Sequence, residues 1–180
     1  KPKIEKKEDT TNPQAYEFYL KAKHKYEKRD TMEDTEIARG LINKALELDD
    51  NLISAKILMG NTIREMGNHD KAMDIFTASL KQAEELGDKH GMGDSFNSIG
   101  AIYFHKGDFD KALECSNKSI AIADDLNDKY RMAISLNNNG VVSHNKGDYE
   151  EGLDYYQRSL EIQEEIGDKY GLAICLCNIG

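Results

Sequence analysis

The chain has 180 residues, 33 of them acidic and 24 basic, for a net charge of −9. A nucleic-acid binder needs a basic stripe to neutralise phosphates and release counterions, so this balance argues against nucleic acid and anionic membrane as partners. No apolar run approaches the ~18 residues of a membrane span and no signal peptide is recognisable, so the expectation is a soluble, cytoplasmic chain. Three cysteines, Cys115, Cys175 and Cys177, match no disulfide framework, which suits a reducing compartment.

Lys1 to Thr11 is polar apart from Ile4. It reads as a linker or tail, because it has nothing to bury against the entropy of ordering. Asn12-Pro13 signals a helix start, with Asn as N-cap and Pro at N1, where no N–H is needed. Ala15, Phe18, Tyr19, Ala22 and Tyr26 follow at helical spacing. Lys28-Arg29-Asp30 breaks that helix, and a second carries Ile37, Leu41, Ile42, Ala45 and Leu48. From Asn51 the pattern becomes regular and predicts helices over about 52–66 and 70–86, 89–106 and 109–126, then 129–146 and 149–166, with a last one opening at Asp168. Gly67, Gly107 and Gly147 supply the left-handed residue that ends a helix. Asn68, Asp108 and Asp148 follow as acceptors suited to capping the next one. Connections of three or four residues force neighbouring helices antiparallel.

These joints recur at an offset of 40 residues: Gly60, Gly100, Gly140 and Gly180 align, as do Ala72, Ala112 and Gly152. Leu126-Asn127-Asp128-Lys129-Tyr130 aligns with Leu86-Gly87-Asp88-Lys89-His90 and with Ile166-Gly167-Asp168-Lys169-Tyr170. Self-similarity at a fixed period of this size marks a stacked-repeat protein. Each hairpin is too small to bury its own apolar face, so hairpins must stack. The expected hairpins are about 12–50, 51–87, 88–127 and 128–167, with a fifth repeat begun at 168–180. A mid-helix glycine costs roughly 0.5–1 kcal/mol relative to alanine. At Gly60, Gly100 and Gly140 the expected compensation is close backbone approach at Ala72, Ala112 and Gly152.

At these residues the chain resembles a tetratricopeptide repeat protein. The family's small residue in helix A, Gly/Asp turn, Ala in helix B and aromatic four residues on appear as Gly60–Gly67–Ala72–Phe76. They recur as Gly140–Gly147–Gly152–Tyr156, whereas Ser116 replaces the aromatic in the intervening repeat. The 40-residue period resembles the longer form found in spindle-orientation scaffolds and in bacterial cyclases, histidine kinases and similar signalling proteins. The resemblance covers about residues 12–180 and implies an all-α, right-handed α-solenoid of antiparallel hairpins, about nine helices. It also implies a protein-interaction module of a larger signalling protein, taking a peptide or adjacent domain on the concave wall formed by helix A. Carried over by register, that wall assigns Asn61, Arg64, Asn97, Phe104, His105, Asn137, Asn138 and His144 to peptide binding. Asparagine carries donor and acceptor and can pair with the main chain of an extended peptide. Arg64 suits a carboxylate and Phe104 an apolar anchor. The alternative is that several of these asparagines merely hold adjacent repeats together or face water.

No catalytic constellation emerges, and the reading assigns no enzyme activity, cofactor or metal. Cys175-x-Cys177 is no zinc half-site on a helix, because residues two apart point roughly 200° apart. Gly91-Met92-Gly93 lacks the strand and third glycine of a dinucleotide fingerprint and reads as a loosened helix start. Glu84-Glu85, Asp124-Asp125 and Glu164-Glu165 end helices, and Lys89, Lys129 and Lys169 begin the following ones, against the helix dipole in both cases. They form either a row of exposed ion pairs along one rim or an acidic ridge for a basic partner. A structural or oligomerising spacer is the rival function, with a homodimer through the last helix, where Leu172, Ala173, Leu176 and Ile179 lack a covering helix B.

Overall fold

The computed structural model describes residues 12–179; the expected tail at Lys1–Thr11 lies outside them, as does Gly180. Nine helices and no strand occur among the described residues: α1 (Pro13–Glu27), α2 (Met32–Leu48), α3 (Ile53–Glu65), α4 (His69–Leu86), α5 (Lys89–His105), α6 (Phe109–Asp125), α7 (Lys129–Lys146), α8 (Tyr149–Ile166) and α9 (Lys169–Ile179). The fold class is all-α, an array of antiparallel helix hairpins. It divides into two compact units, Lys1–Ile75 and Phe76–Gly180, within α4.

Local chemistry explains where the helices start and stop. Asn12 accepts from the Gln14 and Ala15 amides at 3.0 and 3.2 Å, while its own Nδ2 donates to the Leu48 carbonyl at 3.2 Å. One side chain thus caps α1 and ties it to the end of α2. Thr31 and Asp34 form a reciprocal capping box at α2. Lys25 pairs with Asp34, and that contact together with the Asp30 amide and Thr31 hydroxyl holds the carboxyl well below its ordinary value. Gly67, Gly107 and Gly147 adopt φ of +80°, +76° and +98°, the left-handed conformation expected of them.

Asn68 and Asp108 cap the helices that follow, through the Lys71 and Lys111 amides at 3.2 and 3.3 Å. Asp148 does not: α8 has no side-chain cap, and the Asp148 carboxylate turns to Lys146 Nζ at 3.4 Å. Asp88, Asp128 and Asp168 cap α5, α7 and α9 through the amides three residues on, at 2.9, 3.1 and 3.1 Å. The lysine that follows each of these aspartates opposes the helix dipole, but it follows a carboxylate that satisfies the terminus.

In unit 1 the core is Ala15, Ala22, Ile42, Ala45, Leu52, Ala55 and Leu58, covered by Tyr16, Phe18, Tyr19, Tyr26, Leu41, Leu46 and Met59. Small residues on α1 and α2 let these helices approach closely while aromatics close the edges. In unit 2, α5 pairs with α6 and α7 with α8, α6 packs on α7, and α9 packs on α8. The small-against-small crossings hold there. A Cβ built on Gly100 would lie 3.2 Å from the Ala112 carbonyl oxygen, and one on Gly152 would lie 3.1 Å from that of Gly140. Gly91 and Gly93 are not a loosened start: both are buried within α5, which begins at Lys89. The Asp88 cap and packing against α6 supply the order that two glycines lack intrinsically.

Candidate functional site

The first helices of successive hairpins in unit 2 begin at residues 89, 129 and 169, so one face of each recurs at an offset of 40. Positions i, i+4, i+7 and i+11 share a helix face. That face carries His90, Asp94, Asn97 and Ala101 on α5, and Tyr130, Ile134, Asn137 and Val141 on α7; Tyr170, Ile174 and Cys177 follow on α9.

Several asparagines of this region join one repeat to the next. Asn97 Nδ2 donates to Ser135 Oγ at 2.8 Å, and Ser135 Oγ lies 3.2 Å from Ser119 Oγ. Ser116 Oγ donates to the Ser135 carbonyl at 3.1 Å. One serine on α7 is therefore held by both helices of the preceding hairpin. Asn178 Nδ2 donates to Asn137 Oδ1 at 3.1 Å and links α9 to α7. Asn139, fully buried and outside the expected set, donates to Asn117 Oδ1 at 2.8 Å.

The other expected residues are more open. Asn138, His105 and His144 are exposed. The His144 ring meets Tyr149 edge-on with centroids 5.1 Å apart. Phe104 is half-buried between the rings of His105 and Phe109, at 5.7 and 5.9 Å, so part of its apolar surface is already covered. Asn61 and Arg64 lie on α3 in unit 1, both half-buried. Beside them Glu65 accepts from Arg29 Nη2 at 2.7 Å and from the Tyr26 hydroxyl, while the Arg29 guanidinium stacks 3.9 Å from the Tyr26 ring centroid. Burial, and then the bond to Glu65, pushes the Tyr26 phenol well above its ordinary pKa.

Sequence reasoning missed a clamp on the same face of unit 2. Arg131 on α7 grips Asp94 on α5 through Nε at 2.9 Å and Nη2 at 3.2 Å, and its Nη1 reaches Asp128 at 2.8 Å. Burial works against the charged forms of Arg131 and Asp128. Their mutual bonds outweigh it, together with Asp94 in the case of Arg131, so Arg131 is pushed up and Asp128 held below its ordinary value. A signal existed: arginine stands here where the flanking repeats have Gly91 and Gly171. Also missed were Tyr130, Ile134, Tyr170 and Ile174, which are exposed by 55, 38, 77 and 39%. Their signal is an i,i+4 aromatic–aliphatic pair repeated after 40 residues.

Two of the rim lysines are paired. Lys89 pairs with Asp125 and Lys129 with Glu165, each joining the start of one helix to the end of its hairpin partner. All four side chains are well exposed, so each pair contributes only ~0–1 kcal/mol. Cys175 is buried with Sγ 3.3 Å from the Tyr156 carbonyl, and burial raises its thiol pKa; Cys177 is exposed. Among the described residues no group of three or more His, Cys, Asp or Glu is placed to hold a metal, and no helix is long and apolar enough to cross a membrane.

The tetratricopeptide repeat profile matches residues 51–125 and 131–180. The chain belongs to that family. Its tetratricopeptide repeats make it a protein-interaction repeat module, on a scaffold that is generally non-catalytic. Three solved structures share the fold. A signal transduction ATPase with numerous domains from Pyrococcus horikoshii, which carries a tetratricopeptide repeat sensor, superposes with a TM-score of 0.77 at 19% identity, over 92% of this chain and 25% of its own. Aspartyl phosphate phosphatase F from Bacillus subtilis gives 0.76 at 16% identity over 91% of this chain and 44% of its own. BtubC from P. vanneervenii gives 0.70 at 18% identity over 92% of this chain and 78% of its own. The chain thus spans a quarter of the first protein's length and less than half of the second's. No match is found among curated proteins.

Proposed function

We propose that this tetratricopeptide region binds a peptide or neighbouring domain on the exposed face of its A helices, as a regulatory segment of a larger cytoplasmic signalling protein. The observation that carries the reading is the division of labour among the asparagines of unit 2. Asn97 and Asn137 are engaged between repeats, which fixes the face, while Asn138 and His144 remain open beside them. A carboxamide held on a rigid helix can pair with a peptide main chain at little entropic cost. The likeness to a signal transduction ATPase with a tetratricopeptide sensor supports the signalling context. Phe104 and His105 belong to the same proposed surface of unit 2, and Asn61 and Arg64 on α3 are proposed for peptide binding within unit 1.

Site-specific photocrosslinking tests it. A benzophenone side chain at Asn138 is expected to capture the partner in cells, and one at Leu153, exposed on α8, is not. Capture from Leu153 alone would overturn the assignment. Asn138→Ala with His144→Ala should weaken the crosslinked partner's binding by about tenfold, ~1.4 kcal/mol.

A second reading, an oligomerising spacer, draws on α9, where Leu176 and Ile179 are exposed. Light scattering at millimolar concentration separates the two: a monomer unaffected by Leu176→Asp removes the second.

A further inference from the structure

The partner's chemistry follows from what the A-helix face of unit 2 offers, given the reading that this face is the docking surface. Tyr130 and Ile134 on α7, and Tyr170 and Ile174 on α9, expose two aromatic–aliphatic pairs at equivalent positions of neighbouring helices. The Asn178–Asn137 bond holds those helices in register. Val141 and Cys177 extend the same apolar strip. Single exposed hydrophobics need no explanation, but a contiguous set on a rigid face marks an interaction surface.

The charges are as informative. No lysine occupies the face positions of α5, α7 or α9, and Lys169 lies one residue, about 100°, round the helix from Tyr170. Arg131, at the edge, is held by Asp94 and Asp128. Lys129 pairs with Glu165. A free cation to clamp a carboxylate is thus missing from the described residues of this face. The unit that carries it, residues 76–180, has 18 acidic and 10 basic side chains, whereas residues 1–75 have 15 and 14. Residues 76–180 therefore hold −8 of the chain's net charge of −9, with most of the acids on α6 and α8, and the net field of this unit attracts a cation and repels an anion.

We infer that the Tyr130–Ile134–Tyr170–Ile174 strip receives a basic segment of a partner protein carrying at least two apolar anchor side chains, not an acidic peptide or a free terminal carboxylate. The anchors supply affinity by leaving water on the strip, and lysines or arginines beside them are drawn by the net negative charge of the unit.

Fluorescence anisotropy of the full chain with labelled synthetic 16-residue peptides tests this. One peptide has two leucines and a phenylalanine among lysines and arginines; its counterpart keeps the anchors and replaces each base by glutamate. Each is made with a free and an amidated C-terminus. The basic peptide is expected to bind at least about tenfold more tightly than the acidic one, with amidation without effect. Ile134→Asp and Tyr170→Ser should each weaken it about tenfold or more. Leu153→Asp, on α8, should change nothing. Circular dichroism melts establish that the variants fold, and Tyr170→Ser, at the most exposed position, covers the case in which Ile134→Asp does not.

Equal or tighter binding of the acidic peptide overturns the inference, as do dependence on the free carboxylate and absence of binding by either peptide. If the acidic peptide binds and Asn138→Ala releases it, the docking face stands and only the partner chemistry falls. If the basic peptide is released by Leu153→Asp but by neither inner-face variant, the docking face falls too.

Discussion

Glycine at three positions shows how one residue type meets three different demands. At Gly147 the φ of +98° requires it. At Gly140 space requires it, since an added Cβ would sit 2.5 Å from Cδ1 and Cε1 of the Tyr156 ring. At Gly93 neither holds: the added Cβ would lie 3.6 Å from Ser119 Oγ and Ile122 Cγ2, an ordinary contact, and Ala133 fills the equivalent place on α7. Gly140→Ala should therefore destabilise by roughly 1–3 kcal/mol through overpacking. Gly93→Ala should stabilise by up to about 1 kcal/mol through helix propensity and a less flexible unfolded chain. Denaturant titration monitored by circular dichroism checks both signs. The same contrast applies to caps. Asp88→Ala removes a bond to the Gly91 amide and should cost about 1 kcal/mol. Asp148→Ala removes no capping bond, only an exposed ion pair with Lys146, and should stay within about 0.5 kcal/mol. Asp148 aligns in sequence with Asp108, which caps α6, yet its own carboxylate lies against Lys146.

Between elements, the Arg131 clamp joins α5 to α7 while closing the start of α7. Arg131→Ala leaves Asp94 and Asp128 half-buried without their partner and should cost about 1–3 kcal/mol. Arg131→Lys keeps the charge but loses the two-pronged geometry, and should recover only part of it. The pH dependence has a definite sign. Asp128 is held below its ordinary value of 3.8 in the folded chain, so its contribution is complete above about pH 4 and is lost as pH falls through the lower folded value. Melting temperatures of wild type and Asp128→Asn should therefore differ at pH 7, and the gap should narrow as the pH falls below about 4. A gap that does not narrow at all below about pH 4 would show that bonds independent of ionisation carry the effect.

At the scale of the whole molecule, stability in a repeat array is a sum of local hairpin terms and nearest-neighbour contacts. A lesion such as Gly140→Ala should then lower amide hydrogen-exchange protection in α7 and α8 while α1 and α2, in the other compact unit, keep theirs. Loss of protection throughout at once would mean that the two units unfold as one.

The period, the left-handed glycines and the glycine-to-alanine crossings were readable directly, because each is a backbone requirement that only one or two residue types satisfy. The pairing of α1 with α2, α5 with α6 and α7 with α8 followed, since turns this short leave no other arrangement. Side-chain pairing was not readable in the same way. Nothing in the register of Asn97 or Asn137 tells whether a carboxamide turns toward the neighbouring helix or toward solvent; Ser135 and Asn178 decided it. Asp94 and Arg131 lie 37 residues apart and meet only because consecutive A helices lie side by side. Backbone geometry is local and recurs with the sequence, whereas the partners of a polar side chain depend on which neighbour the packing brings within reach.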